Sequence, residues 1–173
     1  MATKLENLDL EIAHFNNLKA YIPGYEECCE KTVEKLLQLG ILQVSTAFEH
    51  ALGKMGGHKV VSEDCGDLIK DGIYSDAKLS SVRTSGYGKV YGAPIHKIFN
   101  KVGALRVQVY ERKQNKFYYF SIPYNAYSHI PKTSNIEIPF ELDGTPRRIP
   151  TRAVYENWWK YEVKSFEEMA NKG

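Results

Sequence analysis

Gly66-Asp67-Leu68-Ile69-Lys70-Asp71-Gly72-Ile73-Tyr74-Ser75-Asp76-Ala77-Lys78 is the stretch that decides how this chain is read. Asp71-Gly72 is a preferred two-residue hairpin turn of type I′, whose two positive-φ positions suit Asp and Gly. Folding about it opposes Lys70 to Ile73, Ile69 to Tyr74, Leu68 to Ser75 and Asp67 to Asp76. Directly opposed residues share a face, with Cβ atoms about 5 Å apart. Lys78 lies two positions past Asp76 and emerges on the same face. Two carboxylates and an ammonium are therefore expected to converge.

Unaided, such a pair is costly: roughly 3 kcal/mol of repulsion at about 5 Å and an effective dielectric of about 20. Exposure to water, protonation of one carboxylate or an inserted cation would each relieve it. Hard oxygen ligands on two strands suit Mg²⁺, which takes one or two carboxylates and completes its shell with water and phosphate oxygens. A lysine beside such an ion can hold or help deprotonate the attacking water and offset charge developing at phosphorus. The plain alternative is a solvated hairpin whose acidic residues happen to be opposite.

N-terminal to the hairpin, the pattern is helical. Leu5, Leu8, Ile12, Phe15 and Leu18 recur at three- and four-residue steps, and Pro23-Gly24 ends that run. A second helix is expected from about Glu26 to Leu39, with Cys29, Val33, Leu36 and Leu37 inward and Gly40 as its stop. A third carries Val44, Ala47, Phe48, Ala51, Leu52 and Met55 and ends at Gly56-Gly57; His58 to Val61 is short and β-prone.

After the hairpin, Gly86 to Gly92 reads as a flexible, basic, aromatic loop. A helix is expected from Pro94 to Gly103, with Ile95, Ile98, Phe99 and Val102 on one side. Residues 104–112 alternate as a half-buried strand should, and Lys116 to Ile122 forms a further, aromatic strand. Five prolines between 123 and 150 mark loops, with one small hairpin around Asp143-Gly144. From Ala153, Tyr155, Trp158, Trp159, Phe166 and Met169 suggest a closing helix, with the Trp pair in the core or at a dimer contact. The expected fold is α/β: a small central mixed β-sheet flanked by helices, with an N-terminal helical region.

The 173 residues, 43% hydrophobic and 25% charged, suit one domain with its own core. Within it, 1–43 is a helical extension, 44–122 the core, and 123–173 a loop-rich part with the closing helix. No apolar run is long enough to span a membrane, and the first residues carry no secretory signal, so a cytoplasmic protein is expected. Cys28, Cys29 and Cys65 include no CxxC and make a poor disulfide framework. The histidines do not supply zinc-site spacings.

Net charge is only +2, but it is unevenly spread: residues 78–116 hold nine basic residues against Glu111 alone. Interleaved tyrosines make this stretch a candidate face for a polyanion, because each neutralised phosphate releases counterions. The alternative is a solvated surface balanced in three dimensions by the acidic N-terminal part. Gly86-x-Gly88 does not continue as GxGxxG, because the third glycine comes late, at Gly92. As a loop after a strand that carries the Asp76–Lys78 pair, Arg83 to His96 is better read as facing DNA, the alternative being an ordinary glycine-rich connector. In that reading Arg83 and Lys89 meet phosphate or guanine, Tyr87 or Tyr91 packs on sugar or base, and His96 is a further contact.

Gly66-Asp67-Leu68-Ile69 followed by Asp76-Ala77-Lys78 resembles the signature of the PD-(D/E)xK nuclease superfamily: an Asp at the start of one strand and (D/E)xK on its neighbour. The resemblance covers about residues 44–122. It departs from the common pattern at Gly66, where Pro is frequent, and at Asp76, where Glu is commoner. It implies a restriction-endonuclease-like core and a Mg²⁺-dependent phosphodiesterase. Asp67, Asp76 and the backbone carbonyl of Ala77 would ligate the metal, and Lys78 would position the water. Many members add an acidic residue from the preceding helix, for which Glu49 is the candidate. Thr46-x-x-Glu49 reads equally as a helix capping box, and Glu63 or Asp64 is an alternative source. The size resembles that of a small type II restriction enzyme, which implies double-stranded DNA as partner and a homodimer. Its dimer contact would come from residues 1–39 or the aromatic tail. Homing, repair and junction-resolving nucleases share this chemistry. The rival from another class is a basic nucleic-acid-binding module with an inert Asp pair.

Overall fold

Asp71 and Gly72 take φ of 51° and 76°, the left-handed pair that a type I′ turn requires. The ladder beside them runs Leu68–Ser75, Ile69–Tyr74 and Lys70–Ile73, the register that the turn dictates. A computed structural model describes residues 28–38, 45–63, 66–84, 91–96, 103–131, 134–148 and 157–172. The helix expected over residues 5–18 lies outside them. In chain order the elements begin with α1 (Glu30–Gln38), α2 (Ser45–Gly56), β1 (Lys59–Glu63), β2 (Gly66–Lys70) and β3 (Ile73–Ser81). Then come β4 (Arg83–Thr84), β5 (Tyr91–Ile95), β6 (Ala104–Glu111), β7 (Lys116–Pro123), α3 (Tyr124–Tyr127) and β8 (Ile136–Phe140). A 3₁₀ turn (Trp158–Tyr161), β9 (Glu162–Val163) and α4 (Phe166–Asn171) follow.

The fold is α/β. Six strands form a mixed sheet in the order β1-β2-β3-β6-β7-β9, and β4-β5-β8 form a second sheet. β3 and β6 are parallel, with Asp76 opposite Leu105 and Lys78 opposite Val107; the other pairs in both sheets are antiparallel. One face of the large sheet packs on α1, α2 and α4 through Leu36, Phe48, Leu52, Leu68, Phe166 and Met169. On its other face, Leu105, Val107, Phe120 and Ile122 pack against Ile95, Ile138, Phe140 and the Trp158-Trp159 pair. Trp159 also donates its indole N–H to the Pro139 carbonyl at 3.1 Å. The tryptophans therefore belong to the core.

With both faces covered, β6 is buried along its whole length, where alternation had suggested a half-buried strand. Buried parallel-type strands lose the in–out signature. Arg106, Gln108 and Tyr110, expected to face solvent, are enclosed.

The helix expected from Pro94 does not begin there: Tyr91–Ile95 is a strand, and residues 97–102 lie outside the described set. β4 reaches only Gly92 and Tyr91, so Pro94 sits where β5 has no β4 partner to bond. The loops expected over 123–150 contain α3 and β8. Pro139 is tolerated in β8 because that strand is an edge. The hairpin around Asp143-Gly144 is present as a Phe140–Pro146 bridge. Instead of one closing helix there is a 3₁₀ turn, a short strand and α4. α4 opens with Ser165 as its N-cap, accepting from the Glu168 amide at 3.1 Å, while Glu168 accepts from the Lys164 amide at 2.7 Å. Cys28, not Cys29, faces the core.

Candidate active site

The hairpin brings Asp67, Asp76 and Lys78 together, and α2 adds Glu49. Asp67 comes from β2; its Oδ2 accepts a hydrogen bond from the backbone N–H of Ala77 at 3.2 Å. Asp76 and Lys78 sit two residues apart on one face of β3, with Lys78 Nζ 3.0 Å from Asp76 Oδ2. The Asp76 side chain is 4% exposed and that of Lys78 29%, so the ammonium lies between a buried carboxylate and solvent. The approach is an ion pair by distance, yet its angle falls short of hydrogen-bond alignment. Among the described residues, Oδ2 of Asp76 thus remains a buried acceptor without a hydrogen-bond partner.

The electrostatics follow from this crowding. Burial, reinforced by a hydrogen bond to the Asp67 carboxyl, raises the Asp76 pKa; the Lys78 charge opposes the rise. Glu49 is half-buried and pushed up to about 7, first by desolvation, then by the charges of Asp67 and Asp76, again with Lys78 opposing. Three carboxyl groups from three elements therefore feel one another. The capping-box role of Glu49 is not formed, because α2 starts at Ser45 and Thr46 is inside the helix; the glutamate turns to the aspartates instead. Asp64 and the side chain of Glu63 lie outside the described residues.

Gly66 accounts for the residue that precedes Asp67. Its φ is +144°, and a Cβ there would stand 2.7 Å from the Ser75 carbonyl oxygen. β2 can approach β3 this closely at Asp67 only with glycine before it.

A hard divalent cation fits this donor set. The oxygens are carboxylate and backbone carbonyl, one carboxylate oxygen is buried with Lys78 as its only charge partner among the described residues, and the proton affinities are raised first by burial and then by the neighbouring carboxyls. Among the described residues, no group of three or more His, Cys, Asp or Glu forms a ready ligand cluster. Mg²⁺ suits such a site, since it takes one or two carboxylates and keeps much of its water.

The residues expected to face DNA divide. Arg83 is exposed on β4, and its charge reaches Glu137; His96 is exposed at the end of β5. Tyr87 and Lys89 lie outside the described residues. Tyr91 does not face DNA: it is buried, and its hydroxyl donates to Glu111 Oε1 at 2.6 Å. Burial and that carboxylate raise its pKa. Within the basic stretch, Arg106 is also enclosed, so its charge is not on the surface.

Tyr127 was not anticipated. Its ring is buried, its hydroxyl has no hydrogen-bond partner among the described residues, and its ionisation is opposed by burial and by Asp76. The proline-rich stretch around it gave no signal of a helix against the site.

No family model, curated protein or solved structure matches this chain. No helix among the described residues is long and apolar enough to cross a membrane.

Proposed function

We propose that this chain is a Mg²⁺-dependent endonuclease that hydrolyses phosphodiester bonds in double-stranded DNA, with the active site of a PD-(D/E)xK nuclease. The observation that carries this reading is the buried, hydrogen-bond-orphaned Oδ2 of Asp76, flanked by Asp67 and Lys78 across one hairpin. The preceding helix α2, the β2-β3 hairpin and the later strands β6 and β7 support it, being parts of the order that the resemblance implies; the helix expected from Pro94 is not among them, since Tyr91–Ile95 is a strand.

In the proposed mechanism Asp67, Asp76 and the Ala77 carbonyl would hold the cation. Once bound, it would polarise the scissile phosphate and acidify a water. Lys78, part exposed beside Asp76, holds the attacking water and offsets charge that builds on the phosphorane oxygens. Glu49, with its proton affinity raised to near neutrality, can exchange a proton at the pH where hydrolysis runs. Arg83 and His96, both exposed, would contact the duplex.

By this reading the protein is a cytoplasmic type II restriction-like enzyme acting as a homodimer, whose two-fold axis places one site on each strand of a palindrome. Homing, repair or junction-resolving enzymes would use the same residues. The test is a digest of bacteriophage DNA with Mg²⁺, resolved on a gel. Discrete bands support a restriction enzyme, and a smear supports a nonspecific or structure-selective nuclease. Intact DNA across varied substrates would favour a binding module.

A further inference from the structure

A second polar site lies on the opposite face of β3. A cavity of about 250 Å³ is lined by Arg106, Ser75, His58, Lys70, Asn171 and the exposed Asp71, among others. Ser75 is the strand neighbour of Asp76, and alternation turns their side chains to opposite faces of the sheet.

Arg106 is 3% exposed. Its Nε donates to Ser75 Oγ at 3.0 Å and one amino nitrogen to the Met169 carbonyl at 2.6 Å and the Lys172 carbonyl at 2.5 Å. These bonds satisfy donors but bring no negative charge. Among the described residues, no carboxylate pairs with Arg106. Burial lowers its pKa to about 10, so it is still cationic near neutrality. A buried guanidinium held by carbonyls, with no carboxylate beside it among the described residues, is expensive.

The surrounding groups add donors. Ser75 Oγ already accepts from Arg106, which leaves its own proton to give. Lys70 Nζ donates to the Gly56 carbonyl at 2.7 Å and retains further protons. His58 Nε2 lies 2.5 Å from the Ala170 carbonyl, so that nitrogen carries the proton. Its Nδ1 is buried without a partner among the described residues, an acceptor suited to a ligand hydroxyl. Asp71, in the exposed turn, is the acid at the rim.

We propose that this cavity binds a small phosphate-type oxyanion, with the Arg106 guanidinium as its fixed cation, Ser75 and Lys70 as further donors, and His58 Nδ1 accepting from a protonated ligand oxygen. Free phosphate and the phosphate of a mononucleotide share this chemistry. The site is separate from the Asp67–Asp76–Lys78 cluster and does not depend on what that cluster does.

The test is titration of the whole chain, free of divalent cations and DNA, with inorganic phosphate and with a nucleoside monophosphate. Chloride holds the ionic strength constant, and melting temperature and the His58 imidazole NMR signals are followed. Phosphate at tenfold its Kd should raise Tm by about 3–5 °C and shift the His58 signals; the stronger of the two ligands identifies the source. Lys70→Glu and Ser75→Ala should each weaken binding at least tenfold, and Lys70→Arg should retain it. These variants keep the test open if Arg106→Gln fails to fold. A melting shift no larger than chloride gives, unmoved His58 signals, or wild-type affinity in Lys70→Glu and Ser75→Ala would overturn the site. So would displacement of phosphate by blunt duplex DNA lacking terminal phosphates.

Discussion

Lys78 Nζ stands 3.0 Å from Asp76 Oδ2, and the lysine is the more exposed of the two. A charge in that position can face both the buried carboxylate and an incoming phosphate. Lys78→Ala is expected to bind DNA as wild type does but to cleave it at least 100-fold more slowly, as checked by single-turnover cleavage and by a gel-shift assay in Ca²⁺. Equal cleavage by the variant would remove Lys78 from the chemistry.

The raised carboxyls set a pH dependence. Glu49 moves from 4.5 to about 7, and Asp76 also moves up. A carboxyl whose folded pKa exceeds its unfolded value contributes stability that is complete below about pH 4 and is lost as pH rises through about 7. Denaturant melts without metal should therefore weaken over that window. Mg²⁺ should restore stability most at the alkaline end, where the ligands are deprotonated. Glu49→Gln should flatten the metal-free slope.

Gly66 holds φ +144° against the Ser75 carbonyl. Gly66→Ala is expected to cost about 2 kcal/mol or more, because strain and a backbone clash coincide. Equilibrium unfolding measures it, and a loss below about 0.5 kcal/mol would mean that β2 relaxes away from β3.

Tyr91→Phe removes a buried donor to Glu111, leaving that carboxylate the Lys113 and Gln114 amides at 2.9 and 2.6 Å. A stability loss of about 1–3 kcal/mol is expected, with DNA affinity unchanged. Weaker DNA binding at full stability would return Tyr91 to the interface.

The site was legible because its geometry is local. Asp71-Gly72 fixes the register of the hairpin, and register alone predicts where Asp67, Asp76 and Lys78 point. Glu49 was ambiguous, since a capping box and a site carboxylate share one pattern; only the start of α2 at Ser45 separates them. The second layer was hidden for a physical reason. Pro94 and Pro139 look like strand breakers, yet each sits at a strand edge where no donor is required, so β5 and β8 were read as helix and loop. That missed layer packs on Leu105, Val107 and Val109, whereas on the opposite face of β6 Arg106 is enclosed by the C-terminal end of α4 and Tyr110 by the helical cluster, so both faces are buried and the alternation misled. The capping pair Ser165 and Glu168 carried a signal for α4 that the aromatic run before it obscured.

The most direct measurement is anomalous scattering from a crystal of the protein soaked in Mn²⁺. The account expects a peak between the Asp67 and Asp76 carboxylates at about 2.2 Å from their oxygens, with Lys78 displaced from Asp76 Oδ2. No peak there, with the Lys78–Asp76 ion pair intact in saturating Mn²⁺, would contradict it.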